Sequence, residues 1–580
     1  VVPVATAAPA DAVVYDPLAV AYSGQVSGDF ETTGNSVVVC PAAAGTPRTE
    51  CLAASRRENA FNNNRFAMTY ADVDGDPSTY NSSTGSVTIP AGSRVVRAQL
   101  HWAGNRAGQQ CGIGDPGTYP PGSAQTQPVR LSVDGGSVAS IAPASYTTDT
   151  NSVGYYSADA DVTSQLASLP SGRAVPITVA NVFTATGTGC FGGWSLVVVH
   201  TDDDPACGAQ RRQVVLYEGH IRQGTSDPAV NVTISGIRVD GAPARVGVTA
   251  YEGDNGSTGD SMLVNNVALA DPTTGSTSNI FNSSAAGQVD PAYPNNFSVD
   301  AKRVTVPAGV VAPGDTSAAI SFPPTNDTYL LQSLAVSIPV PALCLEKSVT
   351  PATARAGDPL TWSITVRNPT TSTALGVTVD DPAVATCTRA LGTLAAGATS
   401  TYTCPSVAGA DLDNVATASG TGTGGTLLSA SGAAAVDVIA PAIGVTIAPD
   451  RTTVPPDGEV TWTVTITNSG DSPLDQIALA DGDVPGCART GLGPLAAGAT
   501  TTYTCTSAAA ADLTHDVGVT GTDVTGRTVS DDDSAAVTVE RAGLELTKAA
   551  DVARAVTGDT ITWTLTLANT GAVPLLDAAA

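Results

Sequence analysis

Ala356-Gly-Asp-Pro-Leu-Thr-Trp362-Ser-Ile-Thr-Val-Arg-Asn368 returns as Pro456-Asp-Gly-Glu-Val-Thr-Trp462-Thr-Val-Thr-Ile-Thr-Asn468 and once more as Thr557-Gly-Asp-Thr-Ile-Thr-Trp563-Thr-Leu-Thr-Leu-Ala-Asn569. Each copy opens on a turn and continues in strict apolar–polar alternation, the pattern of a strand with one buried face. The Trp holds the same place in all three. A second motif, Leu391-Gly-Thr-Leu-Ala-Ala-Gly-Ala-Thr-Ser-Thr-Tyr-Thr-Cys404, recurs as Leu492-Gly-Pro-Leu-Ala-Ala-Gly-Ala-Thr-Thr-Thr-Tyr-Thr-Cys505. Repetition at a fixed period means that one structural unit is used several times. About seven short strands per roughly 100 residues, split by turn signals, fit an immunoglobulin-like β-sandwich.

These residues resemble the "conserved repeat domain" family of bacterial surface proteins. Its members string such sandwiches together, with a Lys in the first strand and an Asp-Leu-Asp/Asn-Asn-x-Ala-Thr segment late in the domain. Here that segment is Asp411-Leu-Asp413-Asn414-Val-Ala-Thr417. The resemblance runs from about residue 343 to the end of the chain and implies tandem architecture on a bacterial cell surface. Upstream, Tyr70-Ala-Asp72-Val-Asp74-Gly-Asp76 and Tyr251-Glu252-Gly-Asp254-Asn-Gly-Ser-Thr-Gly-Asp260 look like the head that precedes such repeats in large bacterial surface proteins. That likeness implies display and brings no catalysis with it.

The predicted fold is therefore all-β: an N-terminal jelly-roll or β-sandwich head followed by tandem immunoglobulin-like repeats. The expected divisions are an arm over 1–20, head domains over 21–206 and 207–342, repeats over 343–440 and 441–540, and the start of a third repeat over 541–580. Composition agrees. Apolar residues make up 42% of the 580, enough to build cores, while Gly (58) and Pro (39) punctuate the chain with turns. Trp194-Ser-Leu-Val-Val-Val-His200 reads as a strand buried on both faces, and only Val162–Leu169 hints at a helix. No apolar run is long enough to span a membrane. Val1–Pro9 reads as a mature end after signal removal, and the chain is expected to continue past Ala580 because the third repeat is unfinished.

Net charge is −27, so the surface repels phosphate backbones and anionic lipid; nucleic acid is excluded as a partner. Ten cysteines occur with no Cys-x-x-Cys spacing, which favours disulfides in an oxidising compartment over zinc or redox motifs. Cys387 with Cys404, and Cys487 with Cys505, fall at matching places in two repeats. Cys40 with Cys51 is a local pair. Cys111, Cys190, Cys207 and Cys344 leave three pairings, among which 111–190 with 207–344 is favoured.

Asp72, Asp74 and Asp76 alternate like the first ligands of a calcium loop, with Gly75 for the turn and Asn81 as a further oxygen. The sixth-position Gly and terminal Glu of an EF-hand are missing, so the competing reading is a solvated acidic turn. Glu252, Asp254 and Asp260, spaced by glycines, form the second candidate calcium set. Asp202-Asp-Asp-Pro205 reads as an exposed turn. The four histidines (His101, His200, His220, His515) show no two-His metal spacing, and Gly193-Trp194-Ser195 lacks the Gly-x-Ser-x-Gly elbow of a nucleophile, so no enzyme is expected.

Lysine is scarce and informative. Only Lys302, Lys347 and Lys548 occur, and the last two share the first-strand slot of their repeats, where the middle repeat has Ile447. A buried amine opposite the Asn414 amide, with a protonated carboxyl from Asp380 or Asp381, is the arrangement that forms an intramolecular isopeptide bond, which Arg cannot do. The competing reading is a surface lysine, or one paired with Asp413. In the middle repeat Asn414 is replaced by His515 or Asp516, depending on a one-residue gap. The function expected from all this is an extracellular structural or adhesive surface protein, its head displayed on a stalk of repeats, or a subunit of a filament or layer. Its partners would be other copies of the chain or a surface receptor. The alternative is a non-catalytic accessory region of a larger secreted carbohydrate-active enzyme, which only further sequence separates from the first; an aromatic content of 5% speaks against a carbohydrate-binding role for the head.

Overall fold

The computed structural model describes residues 6–7, 13–106, 111, 115–149, 154–202, 210–225, 227–323, 326–423 and 425–579. Strand accounts for 54% and helix for 4%, so the chain is all-β. The one longer helix among the described residues, Thr46–Ser55, is tied by the Cys40–Cys51 disulfide, and the hinted helix is a single turn at Thr163–Leu166. Among the described residues no helix is long and apolar enough to cross a membrane. The chain divides into two compact units: Val1–Lys347 with Ser363–Thr403 and Val415–Ala433, and Ser348–Trp362 with Cys404–Asn414 and Ala434–Ala580.

The first unit contains the head. One sandwich packs the sheet 145–148/155–161/93–105/192–202/28–36 against 288–290/82–87/175–180/129–133/139–141, around Trp102, Trp194 and Leu196. A second packs 13–26/212–223/329–339/245–251/299–305 against 6–7/230–235/317–322/263–264/267–268, around Tyr217, Phe281 and Phe322. Further apolar contacts join the two sandwiches: Phe30, Val197, Val199, Val214 and Leu216 form one cluster. Strands Gly192–Asp202 and Tyr329–Pro339 are consequently buried on both faces, which explains their near-continuous apolar sequence.

The arm expected over 1–20 and the clean break expected at 207 need correction. Val13–Val26 is an edge strand of the second sandwich, from Val13 opposite Arg222 to Val26 opposite Arg212, and Leu18 lies in its core. Gln288–Asp290, late in the head, crosses back to the first sandwich beside Ser82–Val87. Pro17 and repeated register shifts against Arg212–Gln223 erase the alternation that would have announced the first strand.

The second unit contains the whole of the second repeat. A three-stranded sheet (Ile443–Pro449, Gly458–Asn468, Thr500–Ala509) faces a five-stranded one (Thr453–Val454, Thr528–Val539, Leu513–Asp523, Leu474–Asp481, Arg489–Thr490). The recurrent residues are accounted for locally. Trp462 is fully buried and its indole N–H donates to Ser507 Oγ at 2.9 Å; Trp362 donates to Ser406 Oγ at 2.8 Å. The Asn that ends the motif pins the following turn: Asn468 Nδ2 donates to Ser472 O and Leu495 O, and Asn368 Nδ2 to Ser372 O and Leu394 O. The turn before the strand takes a positive φ at Gly357, Asp457 and Gly558, which is why Gly stands there in two copies and Asp in the third.

Candidate functional site

The structure pairs Cys40 with Cys51, Cys111 with Cys190 and Cys487 with Cys505. Cys344, Cys387 and Cys404 are also disulfide-bonded. Cys207 lies outside the described residues.

Asp72, Asp74 and Asp76 sit on an exposed turn whose carboxylates cap its own backbone. Asp72 Oδ1 accepts from Gly75 N, Asp74 Oδ1 from Asp76 N and Thr79 Oγ1, and Asp76 Oδ1 from Ser78 N at 2.8 Å. That last bond holds Asp76 below the usual carboxylate range. Asn81, expected as a further ligand, is turned away: its amide exchanges two hydrogen bonds with the Val182 backbone. This is the geometry of an acidic Asx turn.

Glu252, Asp254 and Asp260 lie in a different setting. Strand Arg245–Tyr251 ends on Glu252 at φ 69°, a left-handed conformation rare outside Gly, and the chain then folds inward. Glu252 Oε1 accepts from Asn63 Nδ2 at 2.9 Å, Asp254 Oδ2 accepts from Asn62 Nδ2, and Asp260 Oδ2 accepts from Phe281 N. Three residues that sequence reasoning missed join them: Asp327, whose Oδ2 accepts from Asp254 N at 2.8 Å, and the buried pair Asp300 and Lys302. Lys302 Nζ lies 2.6 Å from Asp271 Oδ2, 3.1 Å from Asp300 Oδ1 and 2.9 Å from Asn282 Oδ1. Burial, then mutual repulsion, pushes the carboxyls up: Glu252 well above its ordinary value, Asp254 to about 7 and Asp327 to about 6. Burial takes Asp260 to about 8. None of the six expected calcium ligands forms a three-carboxylate set tight enough for one ion. Among the described residues the one such grouping of His, Cys, Asp and Glu is Asp481, Cys487 and His515, whose ligand atoms lie within 4.8 Å of one another.

His101 lies 3.3 Å from Glu218, and His220 Nδ1 lies 2.7 Å from Ser157 Oγ. The second contact has the elements of a nucleophile–base pair, but Ser157 and His220 are both buried and burial pushes His220 down to about 4. With neither group open to a substrate, it is a packing contact between strands.

In the first repeat Lys347 Nζ is 2.6 Å from Asp381 Oδ2, and neither side chain is exposed. Burial lowers the lysine pKa while the carboxylate opposes the shift. The carboxyl is thus Asp381, and the assignment to Asp380 is corrected. Val377 and Val379 point inward along Ala374–Asp380, so alternation turns Asp380 to solvent and the next residue back to the core. Asp413 is likewise exposed, whereas Asn414 is wholly buried. In the second repeat His515, and not Asp516, holds the inward place of Asn414. His515 Nε2 lies 2.6 Å from Asp481 Oδ2, and its ring stands edge-on to Trp462 with centroids 4.5 Å apart.

No protein-family model matches the chain, and neither does any curated protein. Among solved structures it is similar to a tetra-tandem repeat from the extending region of a large adhesion protein (13% identity, 80% of this chain and 97% of that one, TM-score 0.16). It is similar also to the D1–D4 ectodomain fragment of ICAM-5 (14%, 40% and 67%, TM-score 0.18). A further match, to red sea bream transglutaminase (14%, TM-score 0.15), covers 34% of this chain and spans 31% of that enzyme. Likenesses at these TM-scores decide nothing about function.

Proposed function

We propose that the chain is an extracellular structural or adhesive surface protein of a bacterium, its head displayed on a stalk of repeats that engages other copies of the chain or a surface receptor. The observation that carries this reading is the junction between repeats within the second unit. Only Ala440-Pro441-Ala442 separates strand Leu427–Ile439 from strand Ile443–Pro449, leaving little slack. Two ion pairs then join the repeats: Arg355 Nε to Asp523 Oδ2 at 2.6 Å, and Arg527 to Asp358. A tether meant only to connect would be longer and free of such contacts. Disulfides spread along the chain support an oxidising location. The reading assigns no catalytic role.

The proposal keeps the covalent element expected from the sequence: an amide between Lys347 and Asn414 with Asp381 as proton relay. The Lys347 nitrogen would attack the Asn414 carboxamide carbon, and ammonia would leave with the relayed proton. It would suit a stalk, because resistance to pulling depends on the unfolding barrier. Intact mass and peptide mapping test it: a chain carrying the bond is short by one ammonia, and a full-mass chain rejects it. The stalk itself is tested by electron microscopy of single chains. Consecutive repeats should hold one relative orientation from particle to particle, and freely varying orientations would refute the reading.

A further inference from the structure

The tightest grouping of metal-ligand side chains in the described molecule lies in the core of the second repeat, where the disulfide masks it. Cys487 ends the short turn Pro485–Cys487, Cys505 lies on Thr500–Ala509, His515 on Leu513–Asp523, and Asp481 closes Leu474–Asp481. The His515 and Asp481 side chains have no exposure, Cys487 has none and Cys505 has 8%. In the oxidised protein the two sulfurs are bonded to each other and no ion is called for.

Reduction changes the donor set to two thiols, one imidazole and one carboxylate. We propose that the reduced second repeat is a zinc site, with Cys487 Sγ, Cys505 Sγ, His515 Nε2 and Asp481 Oδ2 as its four ligands. Zinc takes four N, S and O donors in a tetrahedron at about 2.0–2.3 Å, which sets its ligand atoms roughly 3–4 Å apart. Asp481, Cys487 and His515 already meet within 4.8 Å, and Cys505 is bonded to Cys487 with their Cα atoms 5.3 Å apart. The shifts needed are a parting of the sulfurs and a small opening of the 2.6 Å His515–Asp481 contact. Trp462, edge-on to the imidazole, fixes the ring plane.

The chemistry balances through a dithiol reductant. It passes two electrons and two protons to the disulfide and is itself oxidised to a disulfide. Zn²⁺ then displaces the two thiol protons, giving two thiolates. The first repeat lacks the site. Asn414, which has no imidazole, stands in the place of His515, and Asp381 is already bound to the Lys347 ammonium. Metal binding would hold the second repeat folded in a reducing environment, where ligand binding to the native state alone is stabilising.

The test uses the full chain reduced with a phosphine, which leaves the metal free, and titrated with Co²⁺ as a spectroscopic stand-in for Zn²⁺. The expected result is one equivalent bound with tetrahedral d–d bands and thiolate-to-cobalt charge transfer, bleached by Zn²⁺ and absent from the oxidised chain. His515→Asn, which copies the first repeat, should weaken binding by more than about tenfold, the loss that even an outer-shell partner costs. Absence of a thiolate band in the reduced wild type overturns the proposal without recourse to any variant. An unchanged band and affinity in both His515→Asn and Cys505→Ser also overturns it, since the metal would then sit on other thiols.

Discussion

Asp381 and Asp481 hold the same place in consecutive repeats, at the end of the same strand and turned into the same core, yet they meet opposite partners. Asp381 faces an ammonium, Lys347, at 2.6 Å; Asp481 faces an imidazole, His515, at 2.6 Å. The two partners arrive from different strands: Lys347 from the first, where the second repeat has Ile447, and His515 from the late strand, where the first repeat has Asn414. A buried carboxylate is costly unless it is paired, and where the second repeat has Ile447 instead of a lysine, the histidine supplies the partner. The lesson is that this scaffold preserves one inward acid and changes the chemistry around it.

The sharpest way to break that comparison is to remove the acid from each repeat. Asp381→Ala strands a buried ammonium and should destabilise the first repeat by about 3–5 kcal/mol. Asp481→Ala leaves a buried imidazole without this partner, and the cost should be nearer about 1–3 kcal/mol, that of an unsatisfied buried polar group. Denaturant unfolding of the full chain, followed by hydrogen exchange resolved to each repeat, measures both. Equal losses would show that the two partners are energetically interchangeable.

Next in size is the disulfide beside the second acid. Cys487→Ser with Cys505→Ser should cost about 3 kcal/mol through the unfolded chain. The same assay reads it, and no loss would mean that the repeat is held by its apolar core around Trp462 alone.

The head extends the comparison from one paired acid to a crowd. Glu252, Asp254, Asp260 and Asp327 have folded pKa values raised above ordinary carboxylates, to about 7, 8 and 6 for the last three. In the folded head they retain protons that the unfolded chain has already lost, so the head is most stable near the ordinary carboxylate pKa and loses stability as pH rises from about 4 to about 8. Calcium, expected from the sequence for this region and for Asp72–Asp76, would have to draw these separated carboxylates together and displace their protons. Melting the full chain at pH 5 and pH 8, with calcium or a chelator, should show a larger calcium effect at pH 8, roughly 2.7 kcal/mol at a hundredfold excess over Kd. Equal melting with and without chelator at pH 8 rejects calcium, and head stability that rises with pH rejects the acid cluster's role.

Legibility followed sequence distance. The Trp-to-Asn motif spans few residues, and its reading as a strand with one buried face is borne out at Trp462; the turn that Asn468 pins was not read from the sequence. Inward and outward faces were legible along Ala374–Asp380, and carrying the alternation one residue past its end selects Asp381, where the sequence alone leaves Asp380 or Asp381 open. The acid crowd was half legible: Glu252, Asp254 and Asp260 are neighbours in sequence, whereas Asp327 reaches Asp254 across 73 positions. The edge strand Val13–Val26 was hidden because Pro17 and its bulges break the period that betrays a strand. Long-range convergence leaves no periodic mark in a single sequence.

The smallest effect concerns how the two repeats are joined. Asp523 Oδ1 accepts from Thr525 N at 2.8 Å and Arg527 N at 3.0 Å, capping its own turn, while Oδ2 faces Arg355 of the preceding repeat. Burial alone would raise the Asp523 pKa, but these donors outweigh it and hold the carboxyl below its ordinary value. A depressed acid contributes stability above its unfolded pKa and loses it as pH falls toward the folded one, so the junction is intact at neutral pH and weakens only below about pH 4. Because Asp523 also caps its turn, Asp523→Asn is the proper partner for Arg355→Ala: the amide keeps an acceptor for Thr525 and Arg527 while removing the charge. The cycle of these two substitutions should show a coupling of about 0.5–1 kcal/mol, the low end of the range for residues in contact. The coupling should shrink between low and high salt, since Arg355 is partly open to solvent. Zero coupling at low salt would leave Ala440-Pro441-Ala442 and the Arg527–Asp358 pair as the restraints on the junction. Particle-to-particle variation in repeat orientation should then be the same for wild type and Arg355→Ala.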